Sequence, residues 1–94
     1  MSQKARAHIF VSGRVQGVFF RQNTRKKARE LGISGWVKNL PDGRVEAVLE
    51  ESKEKIEEII EWARQGSIIA RVDEIEVFWE EHKGEFNDFA IKHD

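Results

Sequence analysis

The chain has 94 residues, a formal net charge of −1, three histidines and no cysteine. That length suits one domain, expected to span residues 1–94, and the near-zero charge argues against a general nucleic-acid or membrane binder. The lack of cysteine excludes disulfides, a thiolate nucleophile and a cysteine zinc site, and the absence of an apolar signal core or a run of ~18 apolar residues predicts a soluble, cytoplasmic protein.

Along the chain, Ala7, Ile9 and Val11 alternate with His8, Phe10 and Ser12, the period of a strand. Gly13 and Gly17 bracket a loop. From Gln22 to Leu31 the chain is rich in Arg, Lys and Ala and lacks β-branched runs, which predicts a helix. Phe20, Thr24, Ala28 and Leu31 fall near one face of it, and Gly32 suits its C-terminal cap. Trp36 to Asn39 reads as a second strand, Leu40-Pro41-Asp42-Gly43 as a turn, and Arg44 to Glu50 as a third strand with Val45, Ala47 and Leu49 on one face. Ser52 caps a second helix whose stripe is Ile56, Ile59, Ile60 and Ala63 and which closes at Gly66. Lys55 stands where a capping box would need Glu. Asp73, Ile75, Val77 and Trp79 alternate with Glu74, Glu76, Phe78 and Glu80 in a fourth strand, and Phe89 with Ile91 marks a short last one. The order predicts a ferredoxin-like βαββαβ sandwich of the α+β class. Its antiparallel sheet carries two helices on one face and a short C-terminal strand.

The stretch from Val11 to Arg21 carries the chemistry. A strand breaks at Gly13, a short loop follows, and Arg21 sits at a helix mouth. Backbone N–H groups at a helix start lack internal partners and the dipole favours negative charge there. A guanidinium fork matches phosphate oxygens, and Gly17 lets backbone approach a ligand closely. The segment reads as a cradle for a small phosphate-bearing anion. Phe19 and Phe20 read as buried aromatics that hold the loop. Asn39, taken alone, reads as a turn-former before Leu40-Pro41. Arg25, Lys26, Lys27 and Arg29 form a solvated basic face able to steer an anion. His8, His82 and His93 show no metal-ligand spacing, and the pairs Glu50-Glu51 and Glu80-Glu81 lie at predicted strand ends, so neither a metal nor a two-carboxylate mechanism is expected. Trp36, Trp62 and Trp79 are assigned to packing. Charged residues make up 35% of the chain against a typical ~25%, and the one methionine is Met1, a pattern of thermostable proteins.

The run Gly13-x-Val15-Gln16-Gly17-Val18-x-Phe20-Arg21 closely resembles the first signature of the acylphosphatases. Gly35-Trp36-Val37-Lys38-Asn39, followed by Gly43-Arg44-Val45, resembles their second, and the resemblance extends from Ala7 to about Ile91. Two departures touch local loop shape: Glu51 stands where the second signature usually closes with glycine, and Ser67-Ile68 replaces prolines common after the second helix. The resemblance implies hydrolysis of a carboxyl–phosphate anhydride to carboxylate and inorganic phosphate. It implies that Arg21, with the backbone N–H groups of Gln16, Gly17, Val18, Phe19 and Phe20, binds the phosphoryl group, and that Asn39 orients the attacking water. A carboxylate whose conjugate acid has a pKa of about 4 departs without a protein general acid, so positioning and charge stabilisation suffice. The expected partners are a small acyl phosphate and its phosphate product, with no cofactor, no nucleic acid and no membrane, and a monomer is expected. The alternative is a non-catalytic ferredoxin-like module. One that binds RNA on its open sheet face would show paired aromatics in the third strand, which Arg44 to Leu49 lacks. One that senses a small anion would keep the cradle without needing Asn39.

Overall fold

Apolar alternation along β1 (Lys4–Arg14) turns Ala7, Ile9 and Val11 to one side, where all three are buried. β1 pairs antiparallel with β3 (Val45–Ser52) through Ala7↔Leu49 and Val11↔Val45, and with β4 (Arg71–Glu80) through Ile9↔Val77. β3 pairs antiparallel with β2 (Ser34–Asn39), and β5 (Phe89–Lys92) lies beyond β2, giving the order β4-β1-β3-β2-β5. The computed structural model describes residues 3–93. The β4-β1-β3-β2 core is the split βαβ arrangement expected from the element order. The sheet departs from the expected antiparallel pattern at one place: β5 runs parallel to β2, with Gly35↔Phe89 and Val37↔Ile91. The reason is topological. β4 finishes at the end of the sheet where β1 and β2 begin, so a chain that crosses there re-enters in the direction of β2.

Helix α1 (Phe20–Glu30) buries Phe20, Thr24 and Ala28, and α2 (Lys53–Gln65) buries Ile56, Ile59, Ile60 and Ala63. Both stripes share one core with Ala7, Ile9, Val11, Val37, Val45, Ala47 and Leu49, so both helices cover the same face of the sheet. The α1 exit is a Schellman turn: the N–H of Gly32 donates to Arg29 O (3.2 Å) and that of Ile33 to Ala28 O (2.8 Å). The hydroxyl of Ser52 accepts from the N–H of Lys55, capping α2 as expected. No helix among the described residues is long and apolar enough to cross a membrane.

The opposite face carries His8, Phe10, Trp36 and Phe78. The His8 and Phe10 rings lie 4.8 Å apart and Phe10 meets Phe78 edge-on at 6.0 Å. These aromatics come from β1, β2 and β4, none from β3, and His8 is held by Glu46 at 2.6 Å. Trp36 and Trp62 are half-buried as expected, but Trp79 is exposed, with the Lys53 ammonium over its ring. Trp79 sits near the free end of edge strand β4, where little core remains to cover it.

Between β4 and β5, residues 81–88 cross from one sheet edge to the other. A carboxylate fastens this crossing. Glu50, 1% exposed at its side chain, accepts from the N–H groups of Lys83 (2.8 Å) and Gly84 (3.1 Å) and from the guanidinium of Arg6 (3.1 Å). Arg6 in turn reaches Glu80 (2.9 Å) and Glu85 (2.7 Å). Burial alone would raise the Glu50 carboxyl, but the Lys83 N–H, the Arg6 hydrogen bond and the nearby positive charges outweigh it and hold the group below its usual value.

A folded-state value below the unfolded one contributes stability at higher pH. That contribution is present above the ordinary glutamate value of 4.5 and is lost as pH falls through the lower native value. Glu50→Gln should therefore cost about 3 kcal/mol at neutral pH and much less near pH 2–3. Denaturant titrations of both proteins at the two pH values check this; equal losses at both would remove the ionised carboxylate from the account.

Candidate active site

The segment after β1 is shaped by its backbone. β1 and β4 slip register between Ser12↔Glu74 and Gly13↔Val72, a bulge that bends the strand end. Gly13 has φ 129°, and a Cβ there would lie 2.2 Å from the Arg71 carbonyl oxygen, so the bend admits glycine alone. Val15 and Val18 are buried and anchor the loop. Between and after them, Gly17 (φ 74°) and Phe19 (φ 62°, ψ 20°) are both left-handed. A left-handed residue adjoining right-handed ones turns successive N–H groups into one concavity, an anion nest. A Cβ on Gly17 would meet nothing within 4 Å, so its glycine serves conformation and leaves the loop's outer side clear.

Helix α1 opens directly from this loop, at Phe20, two residues earlier than its sequence pattern suggests. The left-handed Phe19 sets the start. The N–H of Asn23 donates to Phe19 O (3.0 Å), the first bond of the helix. The N–H groups of residues 20–22 therefore have no intrahelical partner. No side chain caps the end and no acidic residue occupies the first turn, so its donors and dipole remain available to an outside anion. Phe20 packs into the core as expected, but Phe19 does not: the residue is 66% exposed. A left-handed residue at this junction points its side chain away from the face that its neighbours bury.

Arg21, second in the helix and half-buried, lines a cavity of about 150 Å³ together with Val15, Gly17, Phe19 and Phe20. Its Nη1 lies 3.5 Å from Nδ1 of His93. The two lie 72 positions apart, and no sequence spacing points to this neighbour. In the basic face of α1, Arg29 is paired rather than free: its guanidinium forks onto Asp88 (2.9 and 3.3 Å), tying the entry of β5 to the helix. The N–H of Phe89 and then Arg29 hold the Asp88 carboxyl below its usual value. A larger depression, about 860 Å³, lies at the opposite end of the sheet, between Lys4, Lys53, Trp79 and Glu81, and touches none of these groups.

Asn39 ends β2 on the helix-covered side, level with Val45 and, across β3, with Val11. Its Oδ1 is buried without a hydrogen-bond partner. The turn that follows is tight: the Leu40 N–H donates to Arg44 O (2.8 Å) and Asp42 accepts from the Arg44 backbone (3.0 Å) and side chain (2.8 Å). Gln16 joins this turn to the loop. Its Nε2 donates to both Leu40 O and Arg44 O at 2.8 Å. Gln16 therefore contributes a side chain that sequence reasoning counted only for its backbone. Among the described residues no three His, Asp or Glu side chains converge as a metal cage. Glu51 sits at the far end of β3 against Lys4, and the Ser67 hydroxyl closes its own turn by accepting from the Ala70 N–H, so both sequence departures lie outside the cavity lining.

The acylphosphatase family model matches residues 7–91. An acylphosphatase from Pyrobaculum calidifontis is 61% identical over 87 residues, covering 92% of this chain and 79% of that protein. One from Syntrophobacter fumaroxidans is 54% identical over 88 residues, covering 94% and 91%. The crystal structure of acylphosphatase from Bacillus subtilis superposes with a TM-score of 0.90 at 34% identity, covering 95% of this chain and 99% of that one.

The Gln16 clasp has a direct test. Gln16→Ala removes both bonds and should destabilise the fold by about 1–2 kcal/mol. Gln16→Glu should cost more, because an ionised carboxylate would face two carbonyl oxygens with no donor to offer. Denaturant midpoints rank the three proteins; a Glu variant as stable as the parent would show that the clasp carries no weight.

Proposed function

This chain belongs to the acylphosphatase family and is an acylphosphatase hydrolase, and from that premise we propose that Arg21 and the N–H groups of residues 16–20 bind the phosphoryl group while Asn39 orients the attacking water. The observation that carries this reading is the pair of left-handed residues, Gly17 and Phe19, beside Arg21. They leave donors unpartnered at a helix N-terminus with a permanent cation two residues on.

The division of labour follows from the reaction. Water attacks phosphorus, the bond from phosphorus to the acyl oxygen breaks, and the electron pair leaves on a carboxylate stable enough to need no protein acid. Negative charge on the phosphoryl oxygens meets donors already fixed by the fold, which is where preorganised electrostatics act most strongly. The buried, unpartnered Oδ1 of Asn39 is an acceptor for a water proton, and its amide end offers a donor beside it. Water held there stands on the side of the phosphoryl group away from the departing carboxylate, as in-line displacement needs. The water's proton passes to a phosphoryl oxygen. The substrate is a small acyl phosphate and the product inorganic phosphate.

Arg21→Ala should lower hydrolysis of an aryl acyl phosphate by about a hundredfold or more, the usual loss for a transition-state donor. Arg21→Lys should also be poor, because an ammonium lacks the fork. Phosphate should raise the parent's melting temperature by several degrees above chloride at matched ionic strength: a hundredfold excess over Kd corresponds to about 2.7 kcal/mol. Arg21→Ala should lose that phosphate-specific part. Equal shifts in both proteins would overturn the assignment.

Asn39→Ala separates the two roles. It should cut kcat strongly and leave phosphate binding by calorimetry close to that of the parent, since the amide acts on water. If phosphate binding disappears with turnover, Asn39 supports the cradle instead.

A further inference from the structure

Asn39 is the last rung of β2. It pairs with Val45 of β3, while the pairing of β2 with β5 ends one residue earlier, at Lys38↔Lys92. Beyond Asn39 the ladder gives way to the turn of residues 40–44, which is stiff within itself. The Leu40 N–H donates to Arg44 O (2.8 Å), the Gly43 N–H donates to Leu40 O (3.2 Å), and the Asp42 carboxylate holds both the backbone and the guanidinium of Arg44. Gln16 ties this unit to the loop after β1. Its Nε2 donates to Leu40 O and to Arg44 O, the two carbonyls that already close the turn, so both amide hydrogens are committed. Its loop neighbours Val15, Gly17, Val18 and Phe19 have side chains that cannot form such a bond.

We propose that the Gln16 side chain is a positioning residue for hydrolysis: by clasping Leu40 and Arg44 it holds Asn39 in working register with the phosphoryl group, so that its loss lowers kcat through Asn39 and leaves phosphate binding in place. The proposal rests on the reading that the 16–20 loop and Arg21 bind the phosphoryl group while Asn39 orients the water. Gln16 then serves both halves of the reaction, its backbone N–H on the phosphoryl side and its carboxamide on the water side. In-line displacement tolerates little error here, and a misplacement of about 1 Å can cost a hundredfold. Leu40 adjoins Asn39 and precedes Pro41, which narrows its backbone freedom, so a shift of the turn reaches Asn39 with little chain between to absorb it. The phosphoryl side has its own anchors. Val15, Val18 and Phe20 are buried and hold the loop and the start of α1 without help from the clasp.

Gln16→Met tests this, because it keeps the length of the side chain and removes both donors. Its kcat for benzoyl phosphate should fall about ten- to a hundredfold, while its Kd for inorganic phosphate by calorimetry stays within about twofold of the parent's. The rate is counted per phosphate-binding site, since a merely structural role would lower the number of sites and not the turnover at each. A cycle with Asn39→Ala supplies the second arm. If Gln16 acts through Asn39, adding Gln16→Met to Asn39→Ala should change kcat by no more than about twofold. An unchanged kcat in Gln16→Met, a phosphate affinity that falls along with kcat, or equal losses in both backgrounds each overturn the proposal. The two levels stay distinct. If Asn39→Ala itself turns over like the parent, the water-orienting reading fails and the proposal falls with it; if Asn39→Ala is impaired while Gln16→Met is not, only the part given to the clasp fails.

Discussion

A carboxylate buried in the middle of the sheet governs how this chain closes. Glu50 sits on β3 directly across from Arg6 on β1, and Arg6 is across from Glu80 on β4. Three strands thus present one cation among carboxylates, and the crossing segment adds Glu85 and two backbone N–H groups. Burying an ion is costly unless its remaining hydrogen-bonding capacity is met. Here each oxygen of Glu50 has a named donor. The same bonds fix where residues 83–84 lie, and hence where the chain arrives at the far edge to form β5. Burial of Phe89 beneath the helices depends on that arrival. So does the Arg29–Asp88 fork that ties β5 to α1.

The site end of the molecule uses a different logic, in which backbone conformation does what charge does at the other end. The bulge at Gly13 turns β1 away from β4, two buried valines hold the loop down, and left-handed residues at 17 and 19 direct what lies between. Gln16 then couples this loop to the β2–β3 turn through two carbonyls. Two hydrogen bonds from one side chain fix the separation of loop and turn more firmly than apolar packing does, because both distance and direction are constrained. Asn39 immediately precedes the clasped turn. The spacing between Asn39 and the loop is therefore set by Gln16 as much as by the strands.

Much of this was legible in the sequence, for physical reasons that differ by element. Alternation along Ala7 to Val11 and the Ile56–Ala63 stripe report which face is buried, and the structure buries those residues. Ser52 and Gly32 mark helix ends through local hydrogen bonds, which sequence encodes directly. The parallel pairing of β5 was not legible, because it follows from where a crossing segment lands and not from the composition of Phe89 to Lys92. Phe19 misled for a related reason: an aromatic beside Phe20 looks like core, and only the sign of one backbone torsion turns it outward. The Gln16 clasp and the approach of His93 to Arg21 join residues 24 to 72 positions apart, beyond the reach of any periodicity. Trp79 shows the converse error, a large apolar residue left exposed because an edge strand outruns the core.

The register of β1 has a consequence for the order of events in folding. β1 is an interior strand, yet its partners are Val45 to Ser52 on one side and residues 71–80 on the other. The base of the loop, Gly13 and Arg14, pairs with Val72 and Arg71, almost sixty residues away. Pairings this distant must overcome loop-closure entropy before they contribute, which makes such topologies slow to fold. A chain emerging from synthesis displays the 13–21 segment early but cannot shape it until β4 has arrived. The bend at Gly13 is thus among the late features of folding, and the loop that hangs from it takes its shape only once β4 has paired with β1.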